Sequence, residues 1–132
     1  MKTALHSWRP ALKLFVLLIL ATVTRGAEAT IPRPRLVDLG ADKCIPCKLM
    51  APILAELAKD YAGQLDVTFI DVWKNRDEGP RYGIEAIPTQ IFYDAAGKER
   101  FRHQGFMAKK DILAKWKELG LDLKLLSAVK KS

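Results

Sequence analysis

An apolar segment leads into a pair of cysteines in residues 36–54, LVDLGADKCIPCKLMAPIL. The two cysteines, Cys44 and Cys47, are the only ones in the chain and lie three residues apart. The pattern after them predicts a helix from Cys44 to Tyr61, which places the first sulfur at the helix mouth. Unpaired backbone N–H groups and the helix dipole stabilise a thiolate there. The pair is therefore interpreted as a dithiol that exchanges with disulfides.

Three other uses of such a pair are less favoured. A structural zinc site needs about four ligands, and besides the cysteines the chain offers only His6 and His103. Covalent haem attachment requires a histidine after the second cysteine, where this chain has Lys48. A purely structural disulfide would close too short a loop to restrict the unfolded chain much. Neither a metal nor a cofactor is therefore expected, and the redox group is the cysteine pair itself.

The first 29 residues have the features of a secretory signal. Basic residues precede an apolar run from Leu14 to Val23, and Ala27-Glu28-Ala29 offers a cleavage site with small residues. The run is too short to span a bilayer, so removal is expected and residues 30–132 would form the mature domain. The protein is expected in the periplasm or outside the cell. It would touch a membrane only through this segment, as an anchor, if the segment is retained.

Composition and charge fit a single globular domain. The 132 residues are 49% hydrophobic and 28% charged, which excludes a disordered chain. The leader carries four basic residues and one acidic residue, so its removal lowers the formal net charge from +7 to +4. The remaining excess lies after Met107, in a basic C-terminal helix and tail that is interpreted as a solvated surface, with contact to an acidic partner or a membrane surface as the alternative. No basic and aromatic pattern of a nucleic-acid-binding module is present, so nucleic acid is not expected as a partner.

Strand and helix patterns alternate along the mature chain. Short strands are predicted over residues 35–39 and 65–72, on either side of the first helix, and such a βαβ unit forms a parallel pair. The apolar side of this helix is assigned to Leu49, Ile53, Leu54, Leu57 and Ala58.

The second half of the chain predicts an antiparallel pair. After the polar stretch 73–83, a strand over residues 90–93, a turn at 94–97 and a strand over 98–104 precede a helix from Ala108 to Leu119. The predicted fold class is therefore α/β, with a mixed parallel and antiparallel sheet flanked by helices.

Several motifs in this order resemble the thioredoxin family. They are Val37-Asp38-Leu39 before Cys44-x-Pro46-Cys47-Lys48, then Ala51-Pro52-Ile53-Leu54, Tyr82-Gly83-Ile84, Ile87-Pro88-Thr89 and Gly105. The likeness covers about residues 35–119 and implies a thioredoxin fold. With the leader removed, the family's first strand and helix would be lacking, because only the mature residues Thr30–Arg35 remain before the active-site strand. The strand at 65–72 would then present an uncovered edge. If cleavage fails, residues 22–34 would contribute cover instead.

The resemblance assigns chemical roles to three residues. Cys44 would attack a substrate disulfide as a thiolate, and Cys47 would resolve the resulting mixed disulfide. Asp38 matches the carboxylate that the family buries beneath the resolving cysteine, where burial raises its pKa and makes it a proton acceptor.

The resemblance also assigns a substrate-binding edge. Pro88 matches the family's cis-proline, which leaves a neighbouring backbone edge free to bond an extended substrate segment. Ile87 would supply that backbone contact, and Gly105 matches the glycine beside the substrate groove.

Departures from the family concentrate around the cysteines. Lys43 and Gly40 stand where the family has tryptophans, so the groove is expected to lose aromatic surface and gain charge. Lys43 and Lys48 would favour the Cys44 thiolate, while Pro46 restrains the loop and Ile45 alters the redox potential.

A further departure concerns the buried carboxylate. Phe69 holds the position of the family's buried lysine, which removes one reason for Asp38 to ionise.

Together these features predict a thiol:disulfide oxidoreductase that reduces protein disulfides in the periplasm. Such a reductase would receive electrons from a membrane thiol-transfer protein of the cytochrome c biogenesis kind. A disulfide-donating oxidase and a non-enzymatic, redox-sensing binding module are the alternatives. The reduction potential distinguishes the reductase from the oxidase. A Cys44→Ser variant distinguishes an enzyme from a binding module.

Overall fold

The structure is a computed structural model that describes residues 32–124. The predicted leader and the last part of the basic tail lie outside these residues. In the described part, strands β1 (Arg35–Gly40), β2 (Asp66–Asp71), β3 (Thr89–Tyr93) and β4 (Glu99–Gln104) form one sheet in the order β2-β1-β3-β4. The helices are α1 (Ile45–Asp60), α2 (Glu78–Tyr82) and α3 (Lys109–Glu118). Strand β1 is parallel to β2, and β3 is antiparallel to both β1 and β4, which confirms the predicted mixed sheet.

Each face of the sheet has its own core. On one face, Leu36 of β1 and Phe92 of β3 pack with residues of α1 and with Trp116 of α3. The ring centroids of Phe92 and Trp116 are 4.9 Å apart. On the other face, Val37 and Ile91 form a second core with side chains from the α2 region. Because successive strand residues point to opposite faces, every second residue of β1, counted from Leu36, faces α1.

Helix α1 has nearly the predicted bounds, but its buried side is different. The buried residues are Cys47, Met50, Leu54 and Leu57. Leu49 is 57% exposed and Ala58 is also exposed, so their assignment to the buried face is wrong. The buried positions follow helical spacing from Cys47, and Leu49 lies about 200° around the axis from it.

The edge of the sheet and the connection after β2 complete the fold. Within residues 32–124, β2 pairs only with β1, so the predicted uncovered edge is present in this part of the chain. The polar stretch 73–83, for which no element was predicted, contains the short helix α2, which ends at Gly83 in the left-handed region with φ of 60°. No helix in the described part is long and apolar enough to cross a bilayer.

Candidate active site

The two cysteines form a disulfide at the amino-terminal end of α1. Cys44 is the N-cap of the helix, and its sulfur accepts a hydrogen bond from the backbone N–H of Cys47 at 3.4 Å. Pro46 lies in the first turn, where its missing N–H costs no helical hydrogen bond. Cys44 is half-buried, whereas Cys47 is only 3% exposed. The first cysteine is therefore more accessible to an incoming disulfide than the second.

The loop before the cysteines is held by a carboxylate that the sequence analysis did not identify. Asp71, at the end of β2, accepts the backbone N–H of Asp42 at 3.0 Å, that of Trp73 at 2.9 Å and that of Lys74 at 3.0 Å. Burial raises the pKa of Asp71, but these N–H bonds and the Lys74 charge outweigh it, so the pKa lies below its usual value. Because Asp42 is two residues before Cys44, this anchor positions the cysteine loop. The sequence feature that could have identified Asp71 is an aspartate at the end of an apolar strand, just before a turn.

The predicted substrate-binding residues come together at one end of the sheet. The Ile87–Pro88 peptide bond is cis, and Pro88 is buried. Leu39 faces Thr89 in the β1–β3 register, which brings Pro88 to the end at which β1 leads to the cysteines. The backbone N–H of Gly105 donates to the Pro88 carbonyl at 2.8 Å. The φ of 96° at Gly105 lies in the left-handed region that favours glycine.

Asp38 is completely buried in the middle of β1. Its Oδ1 accepts a hydrogen bond of 2.7 Å from Nε2 of Gln90, its register neighbour on β3. Burial raises the pKa of Asp38 to about 6, and the Gln90 hydrogen bond opposes the rise. Such a carboxyl can take up and release a proton near neutral pH.

Asp38 lies on the same side of the sheet as the buried sulfur. A Cβ placed on Gly40 would be 3.2 Å from Sγ of Cys47 and 2.9 Å from the Phe69 ring. Because Asp38 is two residues before Gly40 on β1, its side chain points to the same face. The aromatic ring that replaces the family's lysine thus packs beside Cys47, and within residues 32–124 the partner of the carboxyl is instead Gln90.

The remaining predicted residues lie at the surface around the cysteines. Ile45 is 75% exposed, and Lys43, Pro46 and Lys48 are exposed as well. Neither lysine side chain forms an ion pair within residues 32–124. Their influence on the Cys44 thiolate stays a prediction.

Aromatic surface is present near the predicted groove, in a place that the sequence analysis missed. Trp73 is 54% exposed and lines a cavity of about 340 Å³ together with Ile87. Phe106 is 47% exposed and directly follows Gly105. The expected loss of aromatic surface at positions 40 and 43 is therefore partly offset by these two side chains.

A mixed sheet that presents a cysteine pair at a helix mouth, with the first cysteine more exposed than the second, defines a thiol:disulfide oxidoreductase acting on protein thiols and disulfides. The chain belongs to the thioredoxin family, since the family model described as Thioredoxin matches residues 27–118. It is 38% identical to a thioredoxin of Pseudomonas aeruginosa over 81 residues, which cover 61% of this chain and 74% of that protein. A thioredoxin of Acidithiobacillus ferridurans is 39% identical over 82 residues, covering 62% and 75%.

A solved structure described as that of a malarial protein has a similar fold. Its TM-score is 0.61 at 20% sequence identity, over 65% of this chain and 96% of that one. At this identity the likeness concerns the fold alone.

Proposed function

We propose that this oxidoreductase is a reductase of protein disulfides in the periplasm. The observation that supports reduction is the single hydrogen bond that the first sulfur accepts in the oxidised pair. Within residues 32–124, Sγ of Cys44 accepts one hydrogen bond from protein, the 3.4 Å bond from the Cys47 N–H. Strongly oxidising relatives are oxidants because their reduced, thiolate form is heavily stabilised. We infer that the reduced sulfur keeps this one side-on contact beside the helix end, so its thiolate is stabilised less than in those oxidants and the pair favours reducing its substrate.

The reaction consists of two exchange steps. The Cys44 thiolate attacks one sulfur of the substrate disulfide, which forms a mixed disulfide and releases the other substrate sulfur as a thiolate that takes a proton from water. Cys47 then loses its thiol proton to the Asp38 carboxylate and attacks Sγ of Cys44. The Cys44–Cys47 disulfide forms and the second substrate sulfur leaves as a thiolate. The substrate gains two electrons, and the cysteine pair loses two.

The oxidised pair must then be reduced again. Outside the cytoplasm disulfides persist, so electrons have to come from across the membrane. We assign this role to a membrane thiol-transfer protein that presents its own dithiol to Cys44. The amino-terminal segment supports this setting because it has the pattern of a secretory signal.

Two cysteine variants test the enzymatic part of the proposal. Cys44→Ser is expected to abolish reduction of insulin disulfides, because the attacking thiolate is lost. Cys47→Ser is expected to trap mixed disulfides with substrates and with the electron donor, which mass spectrometry of the complexes would identify. A Cys44→Ser protein with full activity would contradict the enzyme and leave a redox-sensing binding module.

The reduction potential tests the direction of the reaction. Equilibration with glutathione is expected to give a value near about −270 mV, as in thioredoxin, whereas a value near about −120 mV would indicate a disulfide-donating oxidase. Lys43→Ala and Lys48→Ala provide matched variants. If the two ammonium groups stabilise the thiolate, their removal makes the potential more negative.

A further inference from the structure

We propose that Gln90 is a positioning residue for the redox reaction, which holds the buried Asp38 carboxyl in place and shares its proton in an acid–amide pair. This inference rests on the proposed function, because it concerns the group that takes the Cys47 proton. It adds a residue to the site that neither the cysteine motif nor the resemblance points to.

The contact between the two side chains is direct and shielded from bulk solvent. Asp38 and Gln90 face each other in the register of β1 and β3, and both are 0% exposed. The Gln90 Nε2 donates to the Asp38 Oδ1 at 2.7 Å. A hydrogen bond from a buried amide constrains the orientation of the carboxyl group.

Two oxygens of this pair remain without a partner. Oδ2 of Asp38 and Oε1 of Gln90 are buried, and no protein group in residues 32–124 donates to either one. With an ionised carboxyl both atoms are acceptors, and a buried acceptor without a donor is costly. In the proposed pair, a proton on Oδ2 supplies the missing donor and Oε1 accepts it. The ionised form keeps the bond from Nε2, and this bond is the one that lowers the pKa of Asp38.

The other groups around Asp38 do not replace the amide. From β2 the register neighbour is Phe69, and from β4 the neighbour beyond Gln90 is the half-buried His103. From α1 the side chain over Gly40 on this face is Cys47, whose sulfur is held in the disulfide, and α3 contributes Ile112 and Trp116 to the core. No ion pair in the described residues includes Asp38. Burial and Gln90 therefore set its proton affinity.

The pair explains how a carboxyl without a cationic neighbour serves the second exchange step. When Cys47 attacks Cys44, its thiol proton passes to the Asp38 carboxylate, whose charge is until then supported by the Gln90 N–H. The protonated carboxyl then holds the proton as the acid–amide pair and later releases it to water. Without the amide neither form has a partner, and the penalty is larger for the charged form.

The test replaces the amide by a side chain of similar length that cannot form these bonds. Gln90→Met is expected to raise the pKa of Asp38, so the acid limb of the pH–rate profile for insulin reduction moves up by about one pH unit, a tenfold change in the ionisation constant. Gln64→Met is the matched control, because among residues 32–124 the Gln64 amide bonds the exposed Lys124 backbone and no group of the redox site. Its profile should coincide with that of the unmodified protein.

An infrared measurement separates this inference from the proposed function. In the oxidised protein, the carbonyl stretch of the protonated carboxyl is assigned by its loss in Asp38→Asn. It should titrate at higher pH in Gln90→Met and shift in frequency as its hydrogen bonds are lost. This result does not depend on whether the protein reduces insulin. An unchanged midpoint in both measurements would overturn the role of Gln90. If Gln90→Met does not fold, Gln90→Asn is the second variant, because its side chain is shorter by one methylene and withdraws the amide from the carboxyl. It should raise the pH midpoint of the Asp38 titration in the same way.

Discussion

Asp38 combines burial, a single polar partner and a position on the side of the sheet that faces Cys47. Its pKa of about 6 is higher than the ordinary value of 3.8 because the charged form is desolvated. At neutral pH, the ionised carboxyl therefore lowers the stability of the folded state. A residue that lowers stability in the resting protein is retained where it serves the reaction, which is expected of an internal proton acceptor.

This cost predicts a pH-dependent stability. Between pH 3.8 and about 6 the folded state keeps the Asp38 proton while the unfolded state has released it, so the free energy of unfolding falls as pH rises through this window. Above it, the loss amounts to about 3 kcal/mol. In the oxidised protein, Asp38→Asn is therefore expected to be more stable than the unmodified chain by up to about 3 kcal/mol at about pH 8, with little difference below about pH 4.

Urea unfolding at the two pH values measures this difference. Asp122→Asn is the matched control, since it removes an exposed carboxylate, and its effect should be small and the same at both pH values. Equal effects of Asp38→Asn at low and high pH would contradict a raised pKa.

At the level of elements, β1, β2 and α1 meet at Gly40. An added Cβ there would be 2.9 Å from the Phe69 ring on β2 and 3.2 Å from Cβ of Cys47 on α1. The first distance is shorter than side chains tolerate, so either the ring or the helix has to move. Gly40 thus allows the helix mouth to lie close to the sheet, which brings the buried sulfur down toward Asp38.

This close approach predicts a coupling between two positions. Gly40→Ala is expected to destabilise the protein by about 1–3 kcal/mol through overpacking. In a Phe69→Ala background the same substitution should cost less than half as much, because the ring that it meets is gone. Thermal or urea unfolding of the four proteins in the double-mutant cycle gives the coupling directly. Additive effects would show that the Gly40 position is limited by Cys47 rather than by Phe69.

The elements could be predicted from sequence because their signals are local. The strands alternate or are rich in β-branched residues, and α1 begins at a cysteine pair with a proline in its first turn. The buried side of α1 could not be assigned in the same way, since the apolar residues around Leu49 and Met50 offer more than one stripe. The pairing of Gln90 with Asp38 joins residues 52 positions apart and depends on the register of β1 with β3. No local pattern contains that register.

For the whole molecule, the last prediction concerns the amino-terminal segment. Residues 1–29 combine basic residues, an apolar run and a small-residue cleavage motif, which is the pattern of a secretory signal. These residues lie outside the part of the chain that the structure describes, so the prediction rests on their sequence.

Expression of the full chain in a Gram-negative host is therefore expected to yield a periplasmic protein that begins at Thr30, because cleavage follows Ala29 in the small-residue motif. Intact-mass measurement of the periplasmic fraction checks this, and the processed protein should reduce insulin as well as residues 30–132 produced alone. Ala29→Phe is the matched variant, since a bulky residue at the cleavage site should leave the leader attached and the chain in the membrane fraction. An unprocessed chain in the cytoplasm would contradict both the leader and the periplasmic role, while leaving the chemistry of Cys44 and Cys47 untouched.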